Sequence, residues 1–190
     1  VTIMPSSSKG GPRNYSNAFL PAIHQGTSVG RAGLPASEAT IRNLNNTHLP
    51  HDVQNRQFDF LQELNRQQAG IKSDRNLDAA IESFDLAFRM QMNAPDILDL
   101  SDESKSTTEM YGIGEKSTDT YGRQCLMARR LAESGVRFIQ VNYADESVNP
   151  KWDQHSNMPK HKVHAEATDQ PVAALLQDLK QRGLLEDTIV

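Results

Sequence analysis

Apolar residues recur at Val53, Phe60, Leu61 and Leu64, and again at Leu77, Ala80, Ile81, Phe84, Phe88 and Met92. Steps of three and four residues keep side chains on one face of a helix, so two helices are expected here, packed as a hairpin on their apolar stripes. Gly70 can close the first, Ser73 or Asp74 can cap the second, and Pro95 is expected to stop it. From Tyr121 to Ser134 the stripe Tyr121, Cys125, Ala128 and Leu131 predicts a third helix. Arg129 and Arg130 fall on its expected solvated side, and Gly135 suits the left-handed position past its end.

The period then changes. Val136 to Asn142 carries Val136, Phe138, Ile139 and Val141, a composition that favours a strand. A loop from Tyr143 to about Pro159 leads into a long helix reaching Arg182, with Val163, Val172, Leu175, Leu176 and Leu179 as its apolar positions and Gly183 as its stop. Leu184 to Val190 then reads as the start of a strand, and Val1 to Met4 as the end of another. Helix, strand, loop, helix, strand is the order of a parallel sheet with crossover connections. Asp96 to Thr120 reads as loop. Residues 5–50 hold much of the proline and glycine and show little periodicity; Phe19-Leu20-Pro21-Ala22-Ile23 is expected to pin this excursion onto a core. The expected architecture is therefore α/β and helix-rich. An irregular segment (1–50), a helical hairpin (51–95) and an α/β portion (96–190) form parts of one domain. Strand-like sequence at both ends leads to the expectation of an internal piece of a larger protein.

Composition supports that reading. The 190 residues are 37% hydrophobic and 6% aromatic, with a mean hydropathy of −0.61, low for a self-contained enzyme of this size. The expected partner is the remainder of the same domain. A net charge of −4 and a pI near 5.9 give no electrostatic case for nucleic acid or an anionic membrane. No apolar run approaches the ~18 residues of a membrane span. Cys125 stands alone in the chain, inside an expected helix, and reads as a buried structural thiol rather than a nucleophile.

The loop after the expected strand holds the one constellation with candidate chemistry: Lys151-Trp152-Asp153-Gln154-His155, followed by His161 and His164. Sites in open α/β sheets form outside the carboxyl ends of strands, where this loop starts. Asp153 and His155 are two apart, so an extended backbone projects both to one side, where a carboxylate and an imidazole can share a divalent ion. His161 and His164 share one face of the helix that follows. Trp152 is expected to anchor the loop by packing. The sequence contains no Walker loop, no paired cysteine ligands and no Gly-x-Ser-x-Gly nucleophile turn. Gly10-Gly11-Pro12 lacks the strand-to-helix context of a phosphate cradle, and His24, His48 and His51 lie in polar stretches.

Several blocks, in order along nearly the whole chain, resemble the family called domain of unknown function 1501 (DUF1501), a member of the alkaline phosphatase superfamily. They are Phe19-Leu20-Pro21-Ala22-Ile23-His24-Gln25-Gly26-Thr27; Leu86 to Gln91 with Ala94-Pro95; Tyr121 to Leu131 with Gly135-Val136-Arg137-Phe138; Trp152-Asp153-Gln154-His155; and Thr168 to Pro171 with Leu179 to Thr188. The resemblance implies an alkaline phosphatase-like three-layer fold, with a parallel-rich sheet between helices. It also implies export to the periplasm or beyond, and metal-dependent hydrolysis of sulfate or phosphate esters. Asp153 and His155 look like the Asp and His that supply part of one metal site in that superfamily. His161 matches a family histidine, although the spacing from Trp152 departs from the usual pattern. The metal would be Zn, Ca, Mg or Mn, and the substrate a small ester. The nucleophile and the other ligands would lie outside these 190 residues. The piece alone is thus expected to be inactive and to bind no metal tightly. The alternative is an exported binding or structural protein that keeps the fold without turnover.

Overall fold

The computed structural model describes residues 1–21, 24–42, 44, 48–71, 75–147 and 151–190. Ser73, Asp74, Ala22 and Ile23, and the side chains of Leu77 and Ala80, lie outside what is described. Three short strands, β1 (Thr2–Ile3), β2 (Ser28–Val29) and β3 (Gln140–Val141), form one sheet in the order β2-β1-β3. Both pairings are parallel, Thr2 opposite Ser28 and Gln140, Ile3 opposite Val29 and Val141. The helices are α1 (His51–Ile71), α2 (Arg75–Leu98), α3 (Lys105–Met110), α4 (Asp119–Glu133) and α5 (Lys160–Gln181), with 3-10 turns at Gly11–Asn14 and Ala36–Glu38 among the described residues. The chain is therefore a helix-rich α/β structure around a small parallel sheet.

The core has two compartments, and α4 separates them. Met127, Ala128 and Leu131 pack against Ile3, Met4 and Val29 of the sheet and its margins. Cys125 and Leu126 turn the other way, onto Tyr111 and onto Ala174 of α5. A helix covered on both sides has little solvated face, and this overturns the expectation for Arg129. Its side chain is 2% exposed, held by Glu103, Glu133 and Asp178. Arg130 is also mostly covered, donating to Glu103 and to the Asp96 and Ile97 carbonyls.

α5 meets α4 through Ala167, Pro171, Ala174, Asp178 and Leu179, while Val163, Val172 and Leu176 of the expected stripe are exposed. Small residues let the two helix backbones approach, so the buried face follows size more than hydrophobicity. In the hairpin, Phe58 of α1 stacks on Phe88 of α2 with ring centroids 4.1 Å apart, but Phe60, Leu61 and Leu64 face solvent. Two residues turn a helix by roughly 200°, so Phe60 and Phe58 cannot share a face.

Other elements depart from the sequence pattern. Pro95 does not stop α2, which continues to Leu98, and Gly70 lies inside α1 rather than past its end. Pro95 lies three residues from the end of α2, so only a short stretch follows the amide it cannot donate, and Gly70 is the last residue but one of α1. Strand pairing within Val136–Asn142 is limited to Gln140–Val141, because only Thr2 and Ile3 stand opposite. Leu184 to Val190 pairs with no strand among the described residues, and Ile189 is fully exposed. The segment Asp96 to Thr120 is not all loop: α3 starts there on Ser104, whose side chain accepts from the Thr107 amide at 3.1 Å. Phe19 is 93% exposed and Leu20 is exposed too, so neither pins the first segment.

Candidate functional site

Parallel strands bring their carboxyl ends to one edge, and there the segments after Ile3, Val29 and Val141 emerge together. The loop after β3 carries Asp153 and His155, both exposed, with Gln154 between them buried. The alternation matches the period of an extended chain and puts the outer two on one side. His155 Nδ1 lies 2.7 Å from Asp153 Oδ1. A carboxylate only accepts, so Nδ1 is the donor in this contact, and it is the neutral ring whose Nε2 then offers a lone pair. The pair is thus a carboxylate that orients an imidazole and leaves its other nitrogen available.

The other two histidines point elsewhere. His161 Nε2 is 3.1 Å from the Trp152 carbonyl, which fixes the proton on Nε2 and leaves Nδ1 as the acceptor nitrogen. His164 Nδ1 lies 3.1 Å from the Tyr143 hydroxyl, and its Nε2 is buried without a hydrogen-bond partner among the described residues. Burial first, then the charge of Lys151, pulls the His164 pKa below its ordinary value. Both rings flank Trp152, with centroids 5.8 Å and 5.5 Å from it, and Tyr143 completes the group at 5.9 Å. Lys151 Nζ sits 3.8 Å over the Tyr143 ring. The shared face of His161 and His164 therefore serves to clamp Trp152, whose ring nonetheless remains 49% exposed. Among the described residues no three His, Cys, Asp or Glu side chains gather as a metal-holding group. Asp153 and His155 are in contact with each other, and His161 is not brought to them.

A second feature of this edge is invisible in the pattern of residues. Glu146, from the same loop, reaches back to the turn after β1. Its two oxygens take the amides of Ser7 at 2.7 Å and Ser8 at 3.0 Å. The Ser7 amide above all, joined by Ser8, holds the Glu146 carboxyl down at about 2. A carboxyl depressed in the folded state adds stability that is present above its ordinary value of 4.5 and is lost as pH falls through about 2. The Ser7 and Ser8 amide resonances are therefore expected to titrate with a midpoint near 2, and not to titrate in Glu146→Gln. A midpoint near 4.5 in the native protein would disprove the tie. Nothing in the run Ser6-Ser7-Ser8 announces an acid acceptor 139 positions away.

The remaining candidates are quieter. Cys125 is 1% exposed, and burial pushes its thiol up to about 12, which removes it as a nucleophile at neutral pH. His24, His48 and His51 are exposed. Among the described residues no helix is long and apolar enough to cross a membrane. Comparison with curated proteins and with solved structures gives no match. One family model does match, over residues 1–190, and its description is a protein of unknown function. The ordered sequence blocks from Phe19 to Thr188 and this match over every residue carry the same conclusion: the chain belongs to the DUF1501 family.

Proposed function

We propose that this chain is part of an exported, metal-dependent hydrolase of sulfate or phosphate esters with an alkaline phosphatase-like fold. The observation that carries the reading is the Asp153–His155 contact at the carboxyl edge of a parallel sheet. His155 would hold a divalent ion through Nε2, with Asp153 orienting the ring, while His161, held at the Trp152 carbonyl, lies outside this donor set. A bound Zn, Mn, Mg or Ca ion would polarise the ester oxygen and stabilise charge on the leaving group. The donor set fits such an ion but does not complete its coordination, so further ligands must come from outside the described residues. Export rests on the family resemblance alone.

The test is hydrolysis of 4-nitrophenyl sulfate and 4-nitrophenyl phosphate by the complete natural form of the protein, with and without added metal. His155→Ala is expected to lower kcat/KM by at least about 100-fold, and Asp153→Asn to weaken metal binding by about 10–100-fold through loss of ring orientation. The 190-residue chain by itself is expected to retain no stoichiometric zinc or manganese. Turnover unaffected by His155→Ala would overturn the proposal. A folded, metal-replete protein without turnover would favour the non-catalytic binding protein instead.

A further inference from the structure

Beside the Glu146 tie, a cleft of about 460 Å³ opens at the carboxyl ends of β1 and β2. Its walls come from the two segments that leave those strands. Arg31 and Arg42 both line it, are exposed, and take part in no ion pair or side-chain hydrogen bond among the described residues. Exposed arginines elsewhere in the chain divide: Arg56 pairs with Asp52, Arg66 with Glu63 and Arg89 with Asp85, whereas Arg13 and Arg137 also stand without a side-chain partner among the described residues, so it is the convergence of Arg31 and Arg42 on one cleft that sets them apart. Glu38 is the acid in the lining, so the walls carry a net positive charge. Ser6, Ser7, Tyr15 and Thr40 add hydroxyls, and Leu34 and Pro12 add an apolar patch.

We infer that this cleft is a binding site for an acidic sugar, a polyhydroxy ring bearing a carboxylate. Three features point to that chemistry. Two guanidinium groups without partners match a carboxylate, which they can take in a bidentate fork. Side-chain hydroxyls and one carboxylate match a ring that both donates and accepts, while Leu34 and Pro12 suit its C–H face. The adjoining turn already holds a carboxylate, that of Glu146, on two successive amides, and Ser7 belongs both to that turn and to the cleft wall. The volume suits a monosaccharide or a disaccharide. The tie also fixes the wall, since Glu146 connects the loop after β3 to the turn after β1.

The site does not depend on the hydrolase reading and does not use Asp153 or His155. Calorimetric titration of the protein with glucuronate is expected to show saturable binding, and glucose to bind at least about 30-fold more weakly for want of the carboxylate. Arg31→Gln and Arg42→Gln should each weaken glucuronate binding by about tenfold or more, as loss of a charge-assisted hydrogen bond does. Both side chains are exposed, so the melting temperature of each variant should equal that of the parent, which separates lost binding from lost folding. His155→Ala should bind glucuronate unchanged whatever happens to turnover. Equal binding of glucose, unchanged binding in both arginine variants, or inorganic sulfate displacing glucuronate at equal concentration would overturn the inference.

Discussion

Arg129→Ala is expected to cost about 3–5 kcal/mol of folding stability, a large share of the roughly 5–15 kcal/mol by which a native domain is stable. The guanidinium is 2% exposed and faces three acids: Glu103 and Glu133 at 2.5 Å and 2.6 Å, and Asp178 at 3.0 Å. The contact to Asp178 is an ion pair rather than an aligned hydrogen bond, since Arg129 Nε finds no acceptor in good geometry. Arg130 shares Glu103, Arg182 bridges Asp178 and Glu133, and the Tyr111 hydroxyl donates to Asp178 at 3.1 Å. Three cations and three anions therefore balance in a network that joins α4, α5 and the segment before α3. Burial by itself would raise the Glu103 pKa, but Arg130 and Arg129 hold it below its ordinary value. Removing Arg129 strips that support and leaves Glu103 and Asp178, both almost inaccessible, short of positive charge. Lysine should recover little, because one ammonium cannot reach three acceptors set around a planar fork. Urea denaturation of Arg129→Ala and Arg129→Lys measures both effects, and a loss below about 1 kcal/mol in either would show the network to be ornamental.

Gly122→Ala is the second substitution expected to act strongly, although it would favour a helix on propensity alone. Gly122 lies in the first turns of α4, where a Cβ would stand 2.2 Å from the Tyr111 carbonyl oxygen and 3.2 Å from its carbon. The obstacle is backbone, and Tyr111 cannot retreat. Its ring is fully buried, packed with Cys125, Leu126 and Ala174, and its hydroxyl is tied to Asp178. The same burial, with the Asp178 charge, pushes the Tyr111 phenol far above its ordinary range. Accommodating one methyl group means moving α4 away from the end of α3, which should cost about 3 kcal/mol, at the upper end of ordinary overpacking. Thermal melting of Gly122→Ala should show a fall of several degrees, larger than that of an exposed alanine substitution such as Ser117→Ala. A rise in melting temperature would mean that helix propensity outweighs the contact.

The two residues teach opposite lessons about legibility. Gly122 sits in the block Tyr121-Gly122-Arg123-Gln124-Cys125, one of those that carry the family resemblance, so its position is conspicuous, but its reason is not: the atom it avoids belongs to Tyr111, in what the pattern presents as loop. Arg129 is the opposite case. Helical spacing distinguishes one face from another, but it cannot say that two faces will be covered, and two adjacent arginines look solvated unless their acids are seen. Those acids lie 26 positions before Arg129 at Glu103 and well after it at Asp178.

The sequence by itself determined the local grammar of the chain. It marked α4 and its end at Gly135, which sits at φ 87°, the span of α5 from Lys160 to Gln181, the entry of β1, and the α/β class with parallel pairing. These follow from periodicity, glycine geometry and β-branched composition, which act over a few residues. It also put Asp153 and His155 on one side of an extended loop. Tertiary structure alone decided the rest: which hairpin face is covered, how short β3 is against two residues of β1, that Leu184 to Val190 pairs with no strand among the described residues, and that His161 clamps Trp152 instead of joining His155. The Glu146 tie and the arginine-lined cleft belong to the same class, because both are made by residues far apart in the chain. Their energies depend on partners that no local pattern names, whereas helix and turn signals carry their partners within a turn or two.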